Sequence, residues 1–289
     1  MSIRSGDRRR AWTGSGLALS LGILLPAVAS AELPYAFGRE INLSRPQWKL
    51  FISGDYAPPA DKAIDLLVHF HGDPQTIWNN AANAELNVVI VTINYRGLSS
   101  AYSDPFSDDT LFQRLLDDAL NRLRRQPDFG SATSWNKLAV SSFSAGYGAV
   151  RRLLATPAYF EAIDGLLAAD SLYATTAADG TPLDAQMADY KRFASQAAAG
   201  KKRFIFTHSQ VPTIGYESTV ETGDELLRHL GLEPELITKR KLGPVNCYRQ
   251  AQQKGFKLWG MTGTTGEDHL YHLRNIGEWL GDLGLSRSQ

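Results

Sequence analysis

Residues able to do nucleophilic chemistry gather in three short stretches of this sequence. The first is residues 137–150, KLAVSSFSAGYGAV. An apolar run, Leu138, Ala139 and Val140, leads into Ser142-Phe143-Ser144-Ala145-Gly146, and small residues then open an amphipathic segment over 148–154. Strand, tight turn and helix in that order lift a serine hydroxyl clear of a sheet and aim a helix N-terminus at the same point. Ser144 is therefore the candidate nucleophile. A serine hydroxyl reacts only when a nearby base takes its proton and an acid holds that base in the right tautomer. The second stretch, residues 263–272, supplies the base: His269, expected in the loop ahead of the last helix, with His272 one helical turn further on as the alternative. The third is Asp170, which ends the apolar run 163–169 and is the candidate acid. Glu217 is its alternative, because no carboxylate stands between Thr207 and that residue.

These groups must be positioned by a scaffold, and the apolar pattern predicts one. Strands are expected at 48–52, 63–70, 87–93, 138–140, 163–169, 203–207 and 256–261, several as continuous apolar runs suited to burial on both faces of a parallel sheet. Helices are expected at 110–125, 183–199, 218–230 and 271–283, the third opened by Ser218 and Glu221 at capping-box spacing. Strands alternating with helices predict an α/β fold, a mostly parallel sheet with helices on both faces. In that architecture ligands sit beyond the carboxyl ends of the strands. The polar groups at those ends are His71, Gly72, Asp73, Asn94, Tyr95, Arg96, Ser144, Asp170, His208, Ser209, Asp268, His269 and His272.

The turn S-x-S-x-G resembles the nucleophile elbow G-x-S-x-G of the α/β-hydrolases, with Ser142 where the first glycine usually stands. The segment VHFHGD at 68–73 is similar to the His-Gly oxyanion turn of that superfamily, although Asp73-Pro74 replaces the later glycines of the lipase form. The chain order Ser144, Asp170, His269 is also that of the superfamily. The resemblance runs over residues 48–283 and implies the α/β-hydrolase fold. It also implies an esterase- or lipase-like serine hydrolase that works through an acyl-enzyme, with no cofactor and no metal. On this reading the backbone N–H groups of Ala145 and Asp73 receive the oxyanion, Gly72 lets the chain turn, and His71 braces the loop. The carboxylate of Asp73 must then point away from the anion.

The N-terminus carries Arg4, Arg8, Arg9 and Arg10, an apolar run over 17–28, and Ala29-Ser30-Ala31. This is the layout of a secretory signal peptide over 1–31, followed by a single catalytic domain at 32–289. Removing the leader takes away four arginines and Asp7, turning a balance of 30 basic and 30 acidic residues into a net charge of −3. That disfavours nucleic acid or an anionic membrane surface as partner and predicts no membrane association after cleavage. Cys247 is the only cysteine, so no disulfide forms within the chain, and it reads as a buried structural residue. A periplasmic or secreted bacterial enzyme acting on a small ester or amide fits these bounds. Oligomeric state is left open. Trp78, Tyr95, Arg96, Tyr102, Phe106, Tyr147 and Tyr173 are expected near the mouth, and no long apolar insertion forms a lid. A peptidase or amidase with the same triad, and a noncatalytic binding module of the same fold, are the alternative readings.

Overall fold

A computed structural model describes residues 33–238, 240–242 and 245–288, so the leader expected over 1–31 lies outside the described residues. The apolar runs become strands of one sheet: β1 (Gly38–Asn42), β2 (Trp48–Ser53), β3 (Ala63–Phe70), β4 (Val89–Ile93), β5 (Ser134–Phe143), β6 (Gly165–Ala169) and β7 (Arg203–His208). The short β8 (Glu235–Leu236) and β9 (Lys241–Leu242) precede β10 (Val245–Gln253) and β11 (Phe256–Met261). The strand order is β1-β2-β4-β3-β5-β6-β7-β11-β10-β8, with β9 beside β10. From β4 to β11 every neighbour is parallel, while β1, β2 and β10 join antiparallel at the two sides. This is the α/β-hydrolase fold.

Alternation along each strand divides the core into two layers. Ile64, Leu66, Val68 and Phe70 of β3 pack with α3 (Leu111–Leu123), α4 (Tyr147–Ala155), α5 (Pro157–Ala162), α6 (Asp184–Ala198) and α7 (Thr219–Leu230). On the opposite face Leu67, Ala139 and Phe143 pack with α1 (Pro74–Asn83), α8 (Gly266–Arg274) and α9 (Gly277–Leu280). The short α2 (Ser100–Ser103) lies against α4.

Three expectations change. The closing helix expected at 271–283 starts at Gly266 and breaks after Arg274, so His269 lies in a first helical turn rather than a loop. The cause is local: Thr265 and Asp268 form a reciprocal capping box that starts the helix early. Helix α1 follows directly on the His71-Gly72 turn, where Asp73 is the N-cap and Pro74 occupies the first turn. Strand β10 adds an antiparallel partner to β11 that no apolar run announces.

The elbow depends on close packing. A Cβ on Gly146 would stand 2.3 Å from the carbonyl oxygen of Phe70 at the end of β3. Gly146→Ala is therefore expected to lower unfolding free energy by about 1–3 kcal/mol. Gly130→Ala, where a Cβ meets nothing within 4 Å, is expected to stay within about 0.5 kcal/mol of the parent. Chemical denaturation of both variants checks this, and equal midpoints would refute it.

Candidate active site

Five chain segments deliver side chains to the carboxyl edge of the sheet. β5 ends at Phe143, and Ser144 follows with φ of +46°, opening a short 3₁₀ turn that runs into α4. The left-handed backbone turns the chain sharply between strand and helix, at a cost of about 1–2 kcal/mol for a residue with a Cβ. Asp170, the first residue after β6, has φ of +45°, and His71, the first after β3, has φ of +70°. Three of the strained non-glycine residues thus stand at one sheet edge, all among the groups singled out by sequence.

Ser142, in the first-glycine position of the elbow, is buried, and its hydroxyl lies 2.9 Å from that of Ser171. The Ser171 hydroxyl also reaches the carbonyl oxygen of Ser144 at 2.8 Å. A donates-in-turn arrangement, Ser142 to Ser171 to the Ser144 carbonyl, satisfies all three groups. Replacing the usual glycine by serine therefore adds a brace beneath the turn.

The structure brings Asp170 and His269 together. The imidazole Nδ1 lies 2.7 Å from one carboxylate oxygen of Asp170. The other oxygen accepts from the Ser209 N–H at 2.9 Å and from the Thr219 hydroxyl. Asp170 is fully buried. Burial raises its pKa, but attraction by His272 and the hydrogen bonds from His269 and Ser209 outweigh it and hold the carboxyl well below the usual range. An ionised Asp170 accepting from Nδ1–H leaves the Nε2 lone pair of His269 free to take a proton. The ring is about one-fifth exposed and stacks on Phe143 with 4.5 Å between centroids.

The alternatives behave differently. His272 is fully buried, pairs through Nδ1 with Thr207 Oγ1 at 2.7 Å, and stacks on Trp279. Its pKa is lowered by burial, and among the described residues its Nε2 has no hydrogen-bond partner. Glu217 pairs through its backbone with Ala174 and makes no hydrogen bond to either histidine. Asp73 turns its carboxylate to Thr76, accepting from the backbone N–H at 2.8 Å and the hydroxyl at 2.9 Å. Its charge caps α1, and among the described residues its own N–H has no acceptor. Ala145 is buried directly behind the elbow.

His71 braces this turn. Its Nδ1 lies 2.8 Å from the hydroxyl of Tyr102, and its ring lies near-parallel to Phe143, on which His269 also stacks. Burial first, and the proximity of His269 second, lower its pKa. Of the aromatic residues expected at the mouth, Trp78, Tyr102 and Phe106 belong to the core instead. Trp78 stacks on Phe51, and the Tyr102 hydroxyl gathers His71, Asn94 and the Tyr95 backbone. Tyr147 and Tyr173 are partly exposed and continue to Tyr216 in a row of three rings.

Several supporting residues escaped the sequence reading. Thr219 directly follows the N-cap of α7, and the capping-box motif already accounted for that turn. His208 donates from Nδ1 to the Ser209 carbonyl at 2.9 Å and accepts at Nε2 from Arg249 at 2.9 Å. Arg249, from the unforeseen β10, also pairs with Asp224 at 2.6 Å. Among the described residues, no group of three or more His, Cys, Asp or Glu side chains is placed to hold a metal, and no helix is long and apolar enough to cross a membrane.

No protein-family model matches the chain, and no curated protein matches it in sequence. Solved structures share its overall shape at low identity. The poly(3-hydroxybutyrate) depolymerase LpqC of Bordetella parapertussis is 13% identical, with 88% of this chain and 92% of that one covered at a TM-score of 0.46. The feruloyl esterase module of Clostridium thermocellum is 10% identical, with 89% and 92% covered at 0.47. The enterobactin esterase of Shigella flexneri is 14% identical, with 89% and 62% covered at 0.48. At such scores the likeness says nothing of chemistry, which must rest on the site's own geometry.

Buried neutral histidines set a pH limit on the fold. His69 bonds to the Ser141 hydroxyl and the His71 carbonyl at 2.7 Å each, and burial pushes its pKa down to about 3. Burial and the adjacent Arg249 push His208 down to about 3 as well. In the unfolded chain both titrate near 6.5, so between about pH 6.5 and 3 the unfolded state binds more protons and stability falls as pH falls. Two such groups remove roughly 3 kcal/mol per pH unit at full effect. The depressed carboxylate of Asp170 acts below about pH 4, outside most of this window. Urea titrations at pH 7, 6 and 5 are expected to show progressive loss of stability. Equal stability at pH 7 and 5 would contradict the assignment of neutral histidines.

Proposed function

We propose that the protein is an exported serine hydrolase that cleaves a carboxylic ester through an acyl-enzyme on Ser144. The observation that carries this reading is the hydrogen bond between the buried Asp170 carboxylate and Nδ1 of His269, at the sheet edge where Ser144 stands on its strained elbow. In the reaction, Ser144 Oγ attacks the acyl carbonyl while His269 Nε2 takes the hydroxyl proton. Asp170 keeps the imidazole in the Nδ1–H tautomer and stabilises the imidazolium. The N–H groups of Ala145 and Asp73 receive the oxyanion, and the capping role of the Asp73 side chain keeps its negative charge off that anion. Collapse of the tetrahedral intermediate transfers the proton from His269 to the leaving alkoxide. Water, activated by the same imidazole, then releases the acid and restores the serine.

An ester is favoured over a peptide because the row of Tyr147, Tyr173 and Tyr216 suits a compact ring or acyl group. Export follows from the leader expected over 1–31.

A fluorophosphonate probe is expected to label the protein lacking residues 1–31, and Ser144→Ala to abolish labelling. His269→Ala is expected to lower kcat on 4-nitrophenyl butyrate at least about a hundredfold, and Asp170→Asn by about a thousandfold or more. Labelling that survives Ser144→Ala, or loss of turnover in His272→Asn but not His269→Ala, would sink the proposal.

A further inference from the structure

A cavity opens beside the elbow helix α4. It has a volume of about 370 Å3, and Ser99, Ser103, Tyr147, Arg151, Arg152 and Gln186 are on its wall. That volume lies in the range of small-molecule sites. Tyr147 stands three residues after Ser144, one helical turn away. Its ring lies 5.4 Å from that of Tyr173, whose hydroxyl reaches the Asp170 carbonyl at 3.4 Å. Tyr147, on the cavity wall, is thus in ring contact with the residue whose hydroxyl reaches Asp170.

Its charges are unbalanced. The guanidinium of Arg151 lies over the Tyr147 ring at 5.0 Å and donates to the Tyr173 carbonyl, while its Nε–H is buried without an acceptor. Among the described residues, neither Arg151 nor Arg152 has a carboxylate within ion-pair distance. Asp189, the carboxylate on the wall, pairs with Arg192 at 3.3 Å. Both ends of the Gln186 amide are occupied by Thr175. A partly buried guanidinium without counter-charge loses solvation and gains no ion pair, whereas an oxyanion in the cavity would match its planar donors.

We propose that this cavity binds an oxyanion, a carboxylate or phosphate carried by the substrate, and so selects esters with a negative charge beyond the scissile bond. The selectivity rests on the ester-hydrolase reading; the oxyanion site stands on its own geometry. Two substrates of matched length test selectivity: 4-nitrophenyl butyrate and mono-4-nitrophenyl succinate. The parent is expected to favour the succinate about tenfold or more in kcat/KM, and Arg151→Met to shrink that ratio about tenfold. Inorganic phosphate and succinate, added separately to Ser144→Ala protein, are expected to raise its melting temperature. Neither anion should do so in the Ser144→Ala, Arg151→Met double variant, and the larger of the two shifts identifies the preferred oxyanion. A ratio of one in the parent, or a ratio unchanged by Arg151→Met, overturns the selectivity. If neither ester is cleaved, the hydrolase reading fails by itself, and the melting data alone decide the site: an Arg151-dependent shift supports it and no shift overturns it.

Discussion

The buried carboxylate of Asp170 is the constraint around which the sheet edge is arranged. A fully desolvated carboxylate is sustained only when its oxygens are met by well-placed donors. Here the donors come from three different connections: the Ser209 N–H after β7, the Thr219 hydroxyl at the start of α7, and His269 in the first turn of α8. The N-terminus of α7, set by its Ser218–Glu221 capping box, adds a favourable dipole at the same point. A one-residue slip of β7, or a late start to α7 or α8, would withdraw a donor from the charge. The position of His269 therefore depends on the register of elements distant in sequence.

Behind this arrangement lies a layer of neutral polar contacts. His208 is held as a neutral ring by donating to the Ser209 carbonyl and accepting from Arg249. Protonation would bring two cations face to face in a buried place. Arg249 reaches this point because β10 extends the sheet past β11, and Asp224 on α7 balances its charge. Strand β10 thus fixes the loop that presents the Ser209 N–H to Asp170. Gly260 is required beside this contact, since a Cβ there would lie 2.6 Å from both Arg249 and His208 side chains.

Much of the scaffold was legible because buried parallel strands announce themselves as apolar runs. The run 63–70 matches β3 residue for residue, and 256–261 matches β11. Elements without such runs were invisible: β10 alternates with polar residues at a sheet edge, and α1 hides behind an Asp-Pro that read only as a turn. The serine elbow and the Asp170–His269 pairing were accessible from residue type and strand order. The helical setting of His269 was not, because Thr265 and Asp268 are a capping signal of only two residues. Nor could sequence separate an aromatic wall from core packing: Tyr102 and Phe106 are buried, while Tyr147 and Tyr173 are not. Thr219, Ser171 and Arg249 were hidden for a third reason, since they act on partners 27 to 49 residues away that only tertiary folding brings near.

The left-handed backbone at Ser144 and Asp170 also carries an evolutionary meaning. Both positions hold side chains where glycine would sit with less strain. Selection for stability alone pushes these two sites towards glycine, so only selection for what their side chains do can keep them otherwise. Serine and aspartate held at these two places in a relative would therefore mark side chains kept against the strain of the backbone that carries them.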